Sequence, residues 1–152
     1  MATLILALAV DQIVKLWVRS ALVEHQSLNG PWPGVFEITL SYNKGVAFGM
    51  LQGFGVYMAP IAIVIAIVTG VYSYRNPKES MWVHVAVSLI ASGAIGNLYD
   101  RLVLGRVTDM FYFRLIDFPV FNVADSCITV GTAILLIRSL RDAWGGRRDS
   151  PD

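Results

Sequence analysis

The amino-acid sequence predicts an all-α membrane protein: four transmembrane helices with a small extracytoplasmic β-sheet or flap. Three observations lead there. Charge-free runs extend from Gly45 to Tyr74, from Ser80 to Tyr99 and from Ser126 to Ile137, and a helix needs about 20 mostly apolar residues to cross the hydrocarbon core. Hydrophobic residues make up 55% of the chain and charged ones only 15%, against about 25% in a typical soluble domain; the mean hydropathy is +0.58. One stretch between the apolar runs, "VFEITLSY" (Val35–Tyr42), alternates and is rich in β-formers, the mark of a strand rather than a span.

The elements follow in order. The first span is placed at Thr3–Leu22. It is not read as a cleaved signal peptide, because no basic residue precedes it and Asp11, Lys15 and Arg19 interrupt it. "NGPWPG" (Asn29–Gly34) is turn chemistry. The strand Val35–Tyr42 follows, with Trp32 and Phe36 expected near the membrane interface. "NKGVAFGMLQGFG" (Asn43–Gly55) is glycine-rich and apolar; it is expected to lie along the membrane surface, with Asn43–Gly49 as a mobile flap over the site. The second span is Val56–Tyr74, and "RNPKES" (Arg75–Ser80) is a tight turn into the third, Met81–Arg101. A short outer connection, Leu102–Val120, leads to the fourth, Phe121–Leu140. Residues 145–152 form a polar tail. The whole, 1–152, is expected to be one domain.

Four spans put both termini on one side. With the termini cytoplasmic, the inner segments hold Arg75, Lys78, Arg138, Arg141, Arg147 and Arg148, and the outer ones hold Lys44, Arg101, Arg106 and Arg114, with Arg19 at the edge. The positive-inside rule favours this orientation by a modest margin.

Several function classes fall away. The net charge of +1 and the lack of a basic run point to no nucleic-acid partner. The single cysteine, Cys127, excludes an internal disulfide and a cysteine-based metal cage. His25 and His84 lack ligand-like spacing. No phosphate-cradling glycine loop and no serine nucleophile elbow occurs, and neither a metal nor an organic cofactor is expected.

The chemistry lies in polar residues inside the spans, which cost at least a few kcal/mol and face protein or water. Asp11 and Lys15 are four apart, acid first, the favourable order for a helical pair; a structural pair anchoring neighbouring helices is the simpler reading. Gly93, Gly96, Asn97, Asp100 and Arg101 share one face of the third span, where the glycines allow close approach. Asn97 falls about 24 Å along that helix, near its outer end. Asp100, next to Arg101, is expected to form a structural ion pair with it. Asn122, Asp125, Ser126 and Thr129 share one face of the fourth span, with Asp125 only about 6 Å deep. Asp109, on the outer connection, is within reach of the same place.

Two carboxylates converging in a partly dry site cannot both ionise easily, so one proton is shared. The ionised member takes a proton from water while the protonated member polarises a carbonyl, which is an aspartic route to amide hydrolysis. Paired intramembrane acids also serve proton relays and ion sites, so a small proton-coupled transporter or an assembly factor is the alternative. A transporter would show internal repeats and a midplane site; here no repeat is visible and the acids gather toward one face.

Four blocks, "DQIVK" (Asp11–Lys15), "NKGVAFG" (Asn43–Gly49), "SGAIGNLYDRLVLGRVTDMF" (Ser92–Phe111) and "FPVFNVADSCITVG" (Phe118–Gly131), resemble in order and spacing the signature blocks of the lipoprotein signal peptidase, or signal peptidase II, family. The resemblance extends over nearly the whole chain. It implies an aspartic endopeptidase of the bacterial cytoplasmic (inner) membrane with its site near the extracytoplasmic face. Such enzymes cut the signal peptide from prolipoproteins just before a cysteine that already carries diacylglycerol. It implies catalytic roles for Asp109 and Asp125, a supporting "GNxxDR" element at Asn97, Asp100 and Arg101, an outer substrate-contact element at Asn43 and Gly45, a flanking role for Asn122, and a supportive one for Asp11 and Lys15. The implied partners are diacylglyceryl prolipoprotein signal peptides and membrane lipid, with no obligate protein partner. Ser92 stands where a second glycine is common and Met110 where phenylalanine is; neither alters a catalytic group. The N-terminus is short for the family, so the cytoplasmic start of the first span is expected to be incomplete or its start codon misplaced. Asp125 sits in an apolar segment, on this reading, because the bond to be cut is itself held at the outer edge of a bilayer.

Overall fold

The computed structural model describes residues 2–45 and 55–145. Four long helices carry the fold: α1 (Ala2–Ala21), α2 (Met58–Arg75), α3 (Met81–Leu104) and α4 (Val123–Gly145). The expected spans fall on them, although α3 runs one turn past Arg101. There Gly105 takes a left-handed conformation (φ 69°) and donates its N–H to the Arg101 carbonyl at 3.1 Å, an ending that favours glycine because it has no Cβ to clash. Among the described residues, α2, α3 and α4 are long and apolar enough to cross a membrane. Helix α1 matches them in length but carries Asp11, Lys15 and Arg19.

α3 is the central post: it packs against α1, α2 and α4. Two glycines set how close it comes. A Cβ at Gly93 would collide with the Ala124 carbonyl of α4. A Cβ at Gly96 would lie 2.5 Å from the Asp11 carboxylate, so the missing side chain is the space that this carboxylate occupies.

The expected single strand is one of three. β1 (Ser27–Trp32), β2 (Phe36–Asn43) and β3 (Val107–Tyr112) form an antiparallel sheet in the order β1-β2-β3. The turn is shorter than the sequence suggested: Pro33, Gly34 and Val35 separate the strands, with Val35 N–H bonded to the Trp32 carbonyl at 3.0 Å and Gly34 at φ 77°, as a glycine at the third turn position allows. Residues expected to be turn, Asn29 to Trp32, belong to β1 and are bulged. The outer connection is likewise ordered, because β3 pairs with β2 from Asn43↔Val107 to Glu37↔Tyr112. The sheet rests on the end of α1 through Val18, Leu22, Leu40 and Met110. Phe36 stacks on Phe111 with ring centroids 5.9 Å apart, and Trp32 is exposed.

Most of the proposed flap, residues 46–49, and nearly all of the polar tail lie outside the described residues. At the base of that segment, Gly55 N–H donates to the Lys44 carbonyl at 3.0 Å.

Candidate active site

Asp125 is the third residue of α4, and Asn122 stands just before the helix. Asn122 Oδ1 accepts the Asp125 N–H at 2.9 Å, and Asp125 Oδ2 accepts the Asn122 N–H at 3.2 Å. This is a reciprocal cap in which two otherwise orphaned helix-end donors are satisfied. The local sequence "NVAD" thus fixes the Asp125 carboxylate at the helix mouth. A second carboxylate reinforces this helix start from another element: Asp11 of α1 accepts the Ala124 N–H at 2.9 Å.

Asp109 arrives from β3, paired in register with Ser41 of β2. Asn122 Nδ2 donates to Asp109 Oδ1 at 2.7 Å and to Asn97 Oδ1 at 3.1 Å. Asn97, on α3, donates its own Nδ2 to Asp125 Oδ1 at 2.8 Å. Each aspartate therefore receives a side-chain amide, and Asn122 touches both. Asp109 is only 4% exposed. Burial, and next the nearby Asp125 charge, push its carboxyl up to about 7, against the opposing hydrogen bonds from Asn122 and Asn43.

Behind the amides lies a buried ionic cluster. The Lys15 ammonium, fully buried, contacts Asp11 at 3.0 Å and Asp100 at 3.3 Å, and donates to Asn97 Oδ1 at 3.0 Å. The expected Asp11–Lys15 pair is present. The expected Asp100–Arg101 pair is not. Adjacent helical residues point about 100° apart, so Asp100 turns to Lys15, to Arg19 at 3.8 Å and to the Thr108 N–H at 2.9 Å. Arg101 instead lines the cavity, and its buried Nε meets no acceptor among the described residues. Arg19 and Thr108, joined at 2.8 Å, were not singled out from sequence. Arg19 lies four residues after Lys15, so the helical spacing that found Asp11 and Lys15 would have found it too.

The two aspartates open into a cavity of about 730 Å³. Asn43, Asn97 and Arg101 supply its polar wall; Phe113, Ile116, Phe118 and Val130 make much of the rest apolar. Gly45, two residues after Asn43, donates its N–H to Asn43 Oδ1 at 2.8 Å. Ser126 and Thr129 continue the lining down α4. All the site residues expected from sequence thus gather at one end of the bundle, with Asp11, Lys15 and Asp100 one layer behind the cavity.

Fold and site together define a helical membrane protein with a paired-carboxylate centre at the end of its bundle. Comparison with known proteins narrows the class. The family described as Signal peptidase (SPase) II matches residues 3–141, and the chain belongs to that family of peptidases. A lipoprotein signal peptidase of Gloeobacter violaceus is 42% identical over 137 residues, covering 90% of this chain and 79% of that one. One of Pseudomonas putida is 42% identical over 140 residues, covering 88% and 81%. A solved bacterial membrane enzyme superposes with a TM-score of 0.88 at 29% identity, over 99% of this chain and 93% of that chain. A second gives 0.81 at 31% identity, over 93% and 92%.

Proposed function

We propose that this chain is an aspartic endopeptidase that removes the signal peptide from diacylglyceryl-modified prolipoproteins, cutting before the lipidated cysteine. The observation that carries the reading is the convergence of Asp109 and Asp125 on Asn122 at the mouth of an apolar cavity. The protonated member of the pair polarises the scissile carbonyl, and the ionised member takes the proton of the attacking water. The tetrahedral centre then collapses, and the departing amine receives a proton from the pair. Asp109, held protonated up to about pH 7 by burial and its neighbour, suits the first role. The names of the relatives support the substrate class.

The reading includes a fourth membrane crossing by α1. Its support is that Asp11 and Lys15 are 1% and 0% exposed and paired with each other, while Ile5, Leu6, Ile13 and Leu16 face outward. Buried, paired charges are the kind a membrane helix tolerates. Four crossings put both termini on one side, and the modest excess of Lys and Arg in the inner segments favours the cytoplasm for that side; on this reading the aspartates lie near the extracytoplasmic face, where a membrane-anchored precursor presents its cleavage site. The apolar wall of the cavity suits a peptide that carries acyl chains.

The test is purified protein in detergent with a prolipoprotein, with and without its diacylglyceryl group, scored by gel shift. The lipidated precursor is expected to be cleaved in EDTA as well as without it, and the unmodified one to stay intact. Equal cleavage of both precursors, or activity lost in EDTA and restored by zinc, would overturn the proposal.

A further inference from the structure

The geometry assigns Lys15 as a positioning residue: by donating to Asn97 Oδ1 it compels the Asn97 amide to present its N–H to Asp125. The inference rests on the aspartic reading above and goes one layer behind it. An asparagine side chain has two orientations that differ only in which end bears the oxygen. A lysine ammonium has three donors and no acceptor, so the group facing it must accept. All three Lys15 protons have partners, at Asp11 (3.0 Å), Asp100 (3.3 Å) and Asn97 Oδ1 (3.0 Å). With its oxygen held toward Lys15, Asn97 has only its NH₂ left to turn toward Asp125, at 2.8 Å.

The second amide is locked by the same logic from another fixed donor. The backbone N–H of Asp125 can only donate, and it takes Asn122 Oδ1 at 2.9 Å. Asn122 Nδ2 must therefore point away, to Asp109 at 2.7 Å and to the remaining lone pair of Asn97 Oδ1 at 3.1 Å. Reversing Asn97 would set its NH₂ against two donors and its oxygen against a carboxylate. Two groups that never contact substrate, an ammonium on α1 and a backbone N–H on α4, thus give each aspartate one amide donor. Lys15 and Asn122 hold Asn97 jointly, so removal of Lys15 alone weakens the lock without abolishing it.

Replacing Lys15 alone would strand two buried carboxylates, so the test uses matched variants. Asp11→Asn keeps the Lys15 donor, still paired with Asp100 at 3.3 Å. The double variant, adding Lys15→Met, removes the donor while Asp100 keeps Arg19 at 3.8 Å and the Thr108 N–H, and in both variants the side-chain oxygen at 11 can still accept the Ala124 N–H. Relative to Asp11→Asn, the double variant is expected to lose kcat by about 10–100-fold, the usual scale for an orienting partner behind a reactive group, with KM within about twofold. Equal kcat in the two would overturn the assignment, because a purely structural lysine alters melting temperature and not turnover of the folded enzyme. A companion measurement needs no Lys15 variant. In [15N]asparagine-labelled enzyme, the Asn97 side-chain amide is identified by its loss in Asn97→Asp. Asp125→Asn should move that resonance; no movement would show that the NH₂ faces Lys15 and would also overturn the assignment. Wild-type turnover by Asp125→Asn is a distinct result, which would remove the aspartic reading and leave the amide orientation to be judged by the resonance alone.

Discussion

The face of α3 turned to α1 and α4 buries Ser92, Gly93, Gly96, Asn97 and Asp100. Helix α2, packed along another side of the same post, buries Ala59 and Ala62 among its described residues and exposes Ile61, Ile63, Val64, Ile67 and Val68. The first contact is polar, specific and tight enough that two positions admit only glycine. The second buries two alanines of α2 and carries one polar tie to α3, Ser73 Oγ to His84 Nδ1 at 2.9 Å. The contrast shows how a small membrane protein divides its labour. Without a strong hydrophobic drive between helices in lipid, close packing and hydrogen bonds must specify the arrangement, and here they are concentrated around Asn97 and Asn122.

The sharpest way to break the comparison is to remove a charge from the polar side. Asp11→Leu leaves the Lys15 ammonium short of a partner and the Ala124 N–H at the start of α4 without its acceptor. A loss of about 3–5 kcal/mol is expected, read as a lower denaturation midpoint in detergent. A loss below about 1 kcal/mol would mean that the cluster is solvated.

Next comes Asp109→Asn. A carboxyl raised from 3.8 to about 7 contributes stability that is complete below pH 3.8 and is lost as the pH rises through about 7, since the fold holds its proton and the unfolded chain does not. Above that range the wild-type protein retains an ionised, poorly solvated carboxylate, which the amide removes. The variant should therefore be more stable than wild type at pH 8, by roughly 2–4 kcal/mol from the size of the shift, and about equal to it at pH 4. Equal melting at both pH values would show that Asp109 is well solvated. The same reasoning predicts that wild-type cleavage declines above about pH 7, in an initial-rate profile, if the protonated member is the one that polarises the carbonyl.

The smaller effects separate chemistry from packing. Arg101→Ala removes a positive charge that attracts Asp125, Asp109 and Asp100 but breaks no close ion pair among the described residues, so it should cost about 1–2 kcal/mol, and activity should fall because the side chain lines the cavity. Thermal shift and initial rate on one preparation check both. Smallest is Ile67→Leu on α2, an exposed isosteric swap expected to stay within about 0.5 kcal/mol with unchanged turnover. A large effect there would show that α2 is specified as closely as α4.

Much of this arrangement was legible in the chain. The charge-free runs located α2, α3 and α4 because lipid demands a fixed length of apolar helix, and the i, i+3, i+4 spacing placed Asn97 and Asp100, and Asn122 and Asp125, on shared faces. β2 was found by its alternation. β1 and β3 were not, for different reasons. Asn29, Gly30 and Pro31 are turn formers that this strand tolerates at a bulge on the sheet edge. "VTDMFY" becomes a strand only by pairing with a segment more than sixty residues earlier in the chain, a partner that local pattern does not reveal. The Asp100–Arg101 pairing failed because neighbours in sequence are not neighbours on a helix, and Lys15 reached Asp100 from a different helix altogether. Nothing in a linear reading shows which amide oxygen faces which donor.

The central claim is that Asp109 and Asp125 share one chemical task. The most direct measurement is the single-turnover rate of Asp109→Asn and of Asp125→Asn on a diacylglyceryl prolipoprotein, with each variant first shown by thermal shift to be folded. The account predicts no detectable cleavage by either. Cleavage at the wild-type rate by one of them, in folded protein, would contradict it.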